Sequence, residues 1–392
     1  MFSFIVLGLF NSTIGVILQP ISKHYGLSDI QVSCIFLVGP VGYTLAAQCN
    51  SLIHSHFGQR GIAVIGPAFH VLAALAIACH PHFGVVLVAY ALIAVGTGLL
   101  DGSWCAWAGS VRNANTVSGL LHGSYSVGAS AGPYFCDLLM TTGGRPWYQW
   151  YSALAVISIT ELIVLPLAFR RQNAAKYHES KNASSSLTGS RNTRAMFNYA
   201  ATWVSSLYFL AYVGTETAIS GWLVSYMTRD RHVSPSFASL SASGFWVGMA
   251  IGRLALGTVT DRIGVRRATT GYLLIAIMLE LLFAVVRKPA GASNVLVALL
   301  GFFMGPMFPS GIVVLARLLP RDLHVAAVSF VASLGQVGGA LLPFAIGACV
   351  QGWGIGVFVY AIIVFTSVAL ALWVAFSRLP RTGASSVFVG RE

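Results

Sequence analysis

Apolar stretches of about 20 residues recur along almost the whole chain, separated only by short polar breaks. A helix of that length spans the ~30 Å hydrocarbon core of a bilayer. The first run begins near Phe2 and reaches about Pro20. Further runs lie at about 30–54, 61–79, 84–108, 117–140 and 148–169, and at about 197–226, 237–258, 268–287, 293–318, 323–349 and 354–377. In lipid every backbone polar group must be bonded within its own segment, so twelve runs predict twelve helices. Between the sixth and seventh runs lies a polar stretch, 170–196, with the Ser-rich segment KNASSSLTGS. The predicted fold class is therefore an all-α membrane protein with twelve transmembrane helices. They form an N-terminal six-helix bundle (1–169), a linker (170–196), a C-terminal six-helix bundle (197–377) and a polar tail (378–392).

Composition closes off the alternatives. Only 9% of the 392 residues are charged and 56% are hydrophobic, against about 25% charged in an average globular domain. A soluble enzyme, a disordered chain and a coiled coil are excluded. The first run has no basic n-region and no small-residue cleavage site, so it reads as a span and not a signal peptide. Its abrupt start is also what a missing N-terminal segment would leave.

The net charge of +12 is explained by its placement. With the N-terminus and linker on the cytoplasmic side, seventeen basic residues fall on that face: Arg60, Arg112, Arg170, Arg171, Lys176, Lys181, Arg191, Arg194, Arg253, Arg262, Arg266, Arg267, Arg317, Arg321, Arg378, Arg381 and Arg391. Lys23, Arg145, Arg229, Arg231, Arg287 and Lys288 fall on the other. This asymmetry orients the chain with both termini inside, and a nucleic-acid partner is not needed. The sequon at Asn182 falls on the same inner side and is expected to be unused. The six cysteines sit in apolar runs with no metal-ligand spacing, so no metal or other cofactor is expected.

The halves repeat one another. Gly42-Tyr-Thr-Leu-Ala-Ala-Gln running on to Gly58-Gln-Arg60 matches Gly248-Met-Ala-Ile-Gly-Arg-Leu running on to Gly264-Val-Arg266 at a constant offset of 206 residues. Val127-Gly128-Ala129 with Pro133 matches Val337-Gly338-Gly339 with Pro343. Two parallel six-helix repeats are one plan of membrane transporters.

The second repeat carries Gly257-Thr-Val-Thr-Asp261-Arg262-Ile-Gly264-Val-Arg266-Arg267 between its second and third spans. This segment resembles the signature loop of the major facilitator superfamily. The resemblance implies the two-bundle fold and alternating access, with Asp261, Arg262, Arg266 and Arg267 bridging helix ends as a gate. A carboxylate near a helix N-terminus is favoured by the dipole there. The first-repeat copy is degraded: Ser55 and His56 stand where Asp261 and Arg262 stand in the second, leaving Gly58 and Arg60.

A finer resemblance covers most of the chain. Tyr212-Val-Gly214-Thr-Glu216 with Gly221-Trp222 and Tyr226, Gly98-Leu-Leu-Asp101-Gly-Ser-Trp104-Cys-Ala-Trp107, and Gly301-Phe-Phe-Met-Gly305-Pro306-Met-Phe308-Pro309 look like the seventh, fourth and tenth helices of fucose-permease-like transporters, in their fungal form. For the bacterial relatives this implies sugar/proton symport. Two departures weaken that implication: Asn11 stands where the family's first helix carries an acid, and Cys105 where fungal members usually have Asn.

Charged groups in hydrocarbon are costly and face a cavity or a partner. In the family plan helices 1, 4, 7 and 10 line the cavity. Asp101 and Glu216 lie on lining helices and are the candidates for solute or proton handling, whereas Glu161 and Glu280 lie on peripheral ones and read as structural, and Asp137 sits near an outer end. Trp104 and Tyr212 lie at helical spacing from the two acids; His122 and Tyr125 share a face of the fifth span; Trp246, Phe308 and Gln336 fall in cavity or gate segments. The chain has no P-loop, Gly-x-Ser-x-Gly or HExxH, and no enzymatic activity is expected. The reading is a secondary transporter, monomeric and multi-pass, taking a small organic solute with protons. Plasma membrane is preferred over vacuole. A sugar, an exported fungal metabolite and a non-transporting, receptor-like role all stay open.

Overall fold

The computed structural model of the chain describes residues 1–110, 114–185, 193–320 and 323–380. The first span is two helices, α1 (Phe2–Ser12) and α2 (Ile14–Tyr25), bent by 41° between them. Thr13 sits at the bend and donates its hydroxyl back to the carbonyls of Leu9 and Phe10 at 3.0 and 3.3 Å, a competition that loosens helical turns. The helix α3 (Asp29–Ala78) holds the second and third spans, joined at Gly58, whose φ of 68° a side chain rarely tolerates. Then follow α4 (Phe83–Ser110), α5 (Ala114–Thr141) and α6 (Gln149–Ala168).

The second half comprises α8 (Ala200–Arg229), α9 (Pro235–Ile263), α10 (Val265–Val285), α11 (Ala290–Met304), α12 (Met307–Leu318), α13 (His324–Trp353) and α14 (Val357–Ser377). The tenth span breaks between α11 and α12 at Gly305 and Pro306, where the ring removes a backbone donor. Counting α3 twice and each broken span once, the described residues hold twelve spans. Eight helices pass for membrane crossing on length and apolarity alone. The helices α5 and α8 are not among those eight.

The repeat shows in matched close contacts. A Cβ on Gly42 would overlap the carbonyl of Ala91, and one on Gly248 the carbonyl of Ala298. Gly128 lies on the carbonyl of Ile5, and Gly338 on that of Leu210. Glycine thus lets the first span meet the fifth, and the seventh meet the eleventh, in the same way. Gly264, like Gly58, has a positive φ, here 93°.

The described parts of the linker are mostly helical. Within it lies α7 (Ala174–Ser185), and a 3-10 turn, Thr193–Asn198, crosses its end. Asn173 Oδ1 accepts from the Lys176 N–H at 3.1 Å and caps α7, while Arg60 N–H donates to the carbonyl of Gln172 at 3.0 Å and pins the linker to the Gly58 turn. The side chain of Asn182 lies outside the described set, as do Arg112, Arg191, Arg321, Arg381 and Arg391.

One basic residue is misplaced by the sequence reading. Arg253 does not sit at the linker face. The helix α9 runs ten residues past it to Ile263, which at 1.5 Å per residue puts it about 15 Å inside.

Candidate functional site

The two halves meet along a seam whose far end, opposite the linker, is clasped. Arg229 of α8 holds Asp29 of α3 through two bonds of 2.6 and 3.0 Å. Gln351 of α13 accepts from the Asp29 backbone N–H at 2.9 Å, Gln19 of α2 donates to Thr228 at 2.9 Å, and Ser236 of α9 donates to Thr141 of α5 at 3.3 Å. A cavity of about 680 Å³ lies among these groups, lined by Gln19, Asp29, Trp222, Ser225 and Gln351.

At mid-depth the seam is polar and charged. Arg253 Nη1 donates to Ser126 Oγ of α5, in the other half, at 2.9 Å, and its Nη2 stands 3.7 Å from Glu216 Oε1 of α8. Tyr125, next to Ser126, accepts a short hydrogen bond from Asn11 Nδ2 and meets Trp246 of α9 edge-on, 5.8 Å between ring centres. The Trp246 indole N–H donates to Ser220 of α8 at 3.2 Å. These residues lie on four helices of both halves, α1, α5, α8 and α9, and their shared location is the seam. Asn11 is exposed although it is bonded at the centre, so the space before it is open. Among the described residues, the polar and aromatic side-chain contacts joining the halves all lie between the far face and the level of Arg253.

Asp101 forms a second, one-sided cluster. Tyr43 of α3 donates to its Oδ2 at 2.7 Å, and Cys105 one turn on donates to its Oδ1 at 3.5 Å. His122 lies between this cluster and Arg253, within electrostatic reach of both, and its ring packs edge-on against Phe4.

Of the other predicted site residues, Tyr212 borders this centre beside Glu216, and the rest separate from it. Trp104 is buried and stacks on Phe169 at 4.3 Å, inside the N-terminal bundle. Tyr212 is buried and its hydroxyl donates to the carbonyl of Met304 at 3.0 Å, inside the C-terminal bundle. Phe308 packs edge-on against Phe209 at 5.0 Å, and Gln336 is exposed on α13 without a bond to the cluster.

The signature loop is partly as expected. Gly264 ends α9, but Asp261 lies at the C-terminal end of that helix, where the dipole disfavours a carboxylate. Among the described residues it makes no ion pair. Arg262, Arg266 and Arg267 are exposed, and the last two line a cavity of about 290 Å³ with Arg317. Nothing crowds Gly257.

The peripheral acids behave as structural groups. Glu161 and His70, both fully buried, pair at 3.4 Å between α6 and α3. Glu280 accepts from Thr366 at 2.7 Å between α10 and α14, the corresponding place in the second half. Arg253 and His70 are the two groups that sequence reasoning missed. Both are bases inside hydrocarbon, and each faces an acid.

Comparison with known proteins agrees with this architecture. The family model of the Major Facilitator Superfamily matches residues 1–223 and 204–389. The chain is 27% identical over 380 residues to Bypass of stop codon protein 6 of Saccharomyces cerevisiae, covering 90% of this chain and 76% of the relative. Among solved structures it superposes on a D-xylose-proton symporter with a TM-score of 0.74 at 12% identity, covering 97% of each chain. On the transporter FucP in its outward conformation the TM-score is 0.61 at 17% identity, over 96% of this chain and 99% of that one. These two likenesses concern the fold. Twelve spans in two matched halves, a polar seam between them and a family match along nearly the whole chain make this protein a member of the Major Facilitator Superfamily, a multi-pass membrane transporter and not an enzyme.

Proposed function

We propose that the chain is a secondary active transporter that moves a small organic solute together with protons by alternating access. The linker face is cytoplasmic in this reading, and the described state opens toward it. The observation that carries the proposal is the Arg253 bridge. One guanidinium, about midway through the membrane, bonds Ser126 of one half and faces Glu216 of the other bundle's seventh span. A charge pair in low dielectric is strong while both partners are ionised and is lost when the carboxylate takes a proton. Protonation of Glu216 therefore changes what Arg253 holds, and with it the contact between the halves. Asp101 already has two donors, so Glu216 is the coupling acid and Asp101 a supporting one.

Asn11, where the fucose-permease-like pattern carries an acid, leaves coupling to this single pair. The chain acts alone in this reading, since each half finds its partner within one polypeptide. The test uses the purified protein in liposomes with an entrapped pH indicator. A panel of sugars, carboxylic acids and aromatic metabolites is added outside. The wild type is expected to move protons with at least one solute, and Glu216→Gln to lose the proton movement. Solute flux without protons in the wild type, or full coupling in Glu216→Gln, overturns the reading.

A further inference from the structure

We propose that the solute is an organic acid whose carboxylate pairs with the Arg253 guanidinium in place of Glu216. This deepens the transport reading above and rests on it. An arginine at the middle of a span costs about 2.5–3.5 kcal/mol; a neutral donor would suffice if its only task were to bond Ser126.

The geometry leaves Arg253 unfilled. A guanidinium has five donors in a planar fork that matches a carboxylate. Here Nη1 is spent on Ser126, and the approach to Glu216 at 3.7 Å is beyond hydrogen-bond distance. The same chain shows a filled fork elsewhere: Arg229 holds Asp29 at 2.6 and 3.0 Å. Among the described residues no carboxylate takes Arg253 in that bidentate way, and its side chain keeps 17% of its exposure. Asp101 does not compete for it, being held by Tyr43 and Cys105. Tyr125 lies within electrostatic reach of the guanidinium, and the buried Trp246 backs its ring edge-on at 5.8 Å. A ring-bearing acid fits a site with one charged fork and an aromatic neighbour.

Charge balance then ties the acid to a proton. Glu216 is faced by Arg253 from α9 and by Tyr125 from α5, with Tyr212 on its own helix; His122 is within electrostatic reach of Arg253, and Asp101 of Tyr125 and His122. Among the described residues, α2, α12, α13 and α14 set no charged side chain against it. Glu216 and Arg253 together are neutral, so an entering carboxylate adds one negative charge to a low-dielectric site. One proton taken up by Glu216 from the solution restores neutrality. One acid thus enters with one proton, and binding tightens as the pH falls.

The test is equilibrium binding to the full-length protein by calorimetry, at acidic and neutral pH. The probes are matched: acetate and acetamide, benzoate and benzamide, 4-hydroxybenzoate and 4-hydroxybenzamide, glucuronate and glucose, with tyramine as a cation. At least one acid is expected to bind about tenfold or more tightly than its neutral partner, a difference of ~1.4 kcal/mol, and more tightly at acidic pH. Arg253→Met should erase the preference for the acid, Arg253→Lys should keep part of it, and Glu216→Gln should keep the acid and lose the pH dependence. Tighter binding of tyramine or of the neutral partners, acid binding unchanged in Arg253→Met, or no acid bound by monodisperse protein overturns the proposal. Binding needs no gradient: acid bound through Arg253 without proton-linked flux would sink the transport reading and leave this one standing.

Discussion

Replacing Asp29 by Asn removes the carboxylate that Arg229 grips while keeping the side chain's shape. The pair is bidentate at 2.6 and 3.0 Å, but the two side chains retain 35% and 20% of their exposure. Exposed pairs contribute about 0.2–1 kcal/mol, and hydrogen bonds to charged groups about 1.5–3 kcal/mol. A partly exposed fork lies where these ranges meet, at about 1 kcal/mol. The bond from the Asp29 N–H to Gln351 involves backbone and survives the change. Loss of about 1 kcal/mol raises the population open at the far face about fivefold. Ser225, buried beside the far cavity, reports that opening. In a background without native cysteines, Ser225→Cys should react with a maleimide about fivefold faster when Asp29→Asn is added, in low salt. The charge swap Asp29→Arg with Arg229→Asp should return the rate toward its starting value. An unchanged rate would mean that the clasp does not hold the far face shut.

Two further predictions concern the packing of the bundles. Gly338→Leu forces a side chain against the Leu210 carbonyl, and Gly128→Leu one against that of Ile5. Overpacking costs about 1–3 kcal/mol even where neighbours yield, so both variants should melt at lower temperature than Gly257→Leu, whose site is open. Removing His70 alone strands Glu161 in hydrocarbon. His70→Leu should destabilise by about 3–5 kcal/mol, and the double change with Glu161→Leu by much less, as read from thermal melting in detergent. Equal losses in the single and double variants would contradict the pairing.

Most of the fold was readable in the sequence because bilayer thickness sets one length for every span. The runs ending near Pro20 and at 258 were cut where polar residues begin, yet α2 and α9 continue through Tyr25 and Ile263. That shortening hid Arg253, which reads as a helix-end residue when the span stops five residues later and as a mid-membrane one when it stops ten later. The candidate faces were coarser than the site. Trp104 is three residues from Asp101, a turn of about 60° around the helix axis, enough to carry its ring from the seam into the bundle against Phe169. Tyr212, four residues before Glu216, stays within reach of that carboxylate while its hydroxyl donates to the Met304 carbonyl. His70 was invisible because its meaning depends on Glu161, ninety-one residues away and on another span. A base on a peripheral span, set beside an acid on another peripheral span, was the signal available.

The central claim is that the state of Glu216 governs which face of the seam is open. Distances between spin labels test it most directly, with one pair at the far face (Thr142→Cys and Ser236→Cys) and one at the linker face (Gly119→Cys and Thr258→Cys). The unmodified seam should give a short far-face distance and a long linker-face one. Glu216→Gln should shift part of the population to the reverse, longer at the far face and shorter at the linker face. Distributions that are the same with glutamate and glutamine at 216, at both faces, would contradict the account.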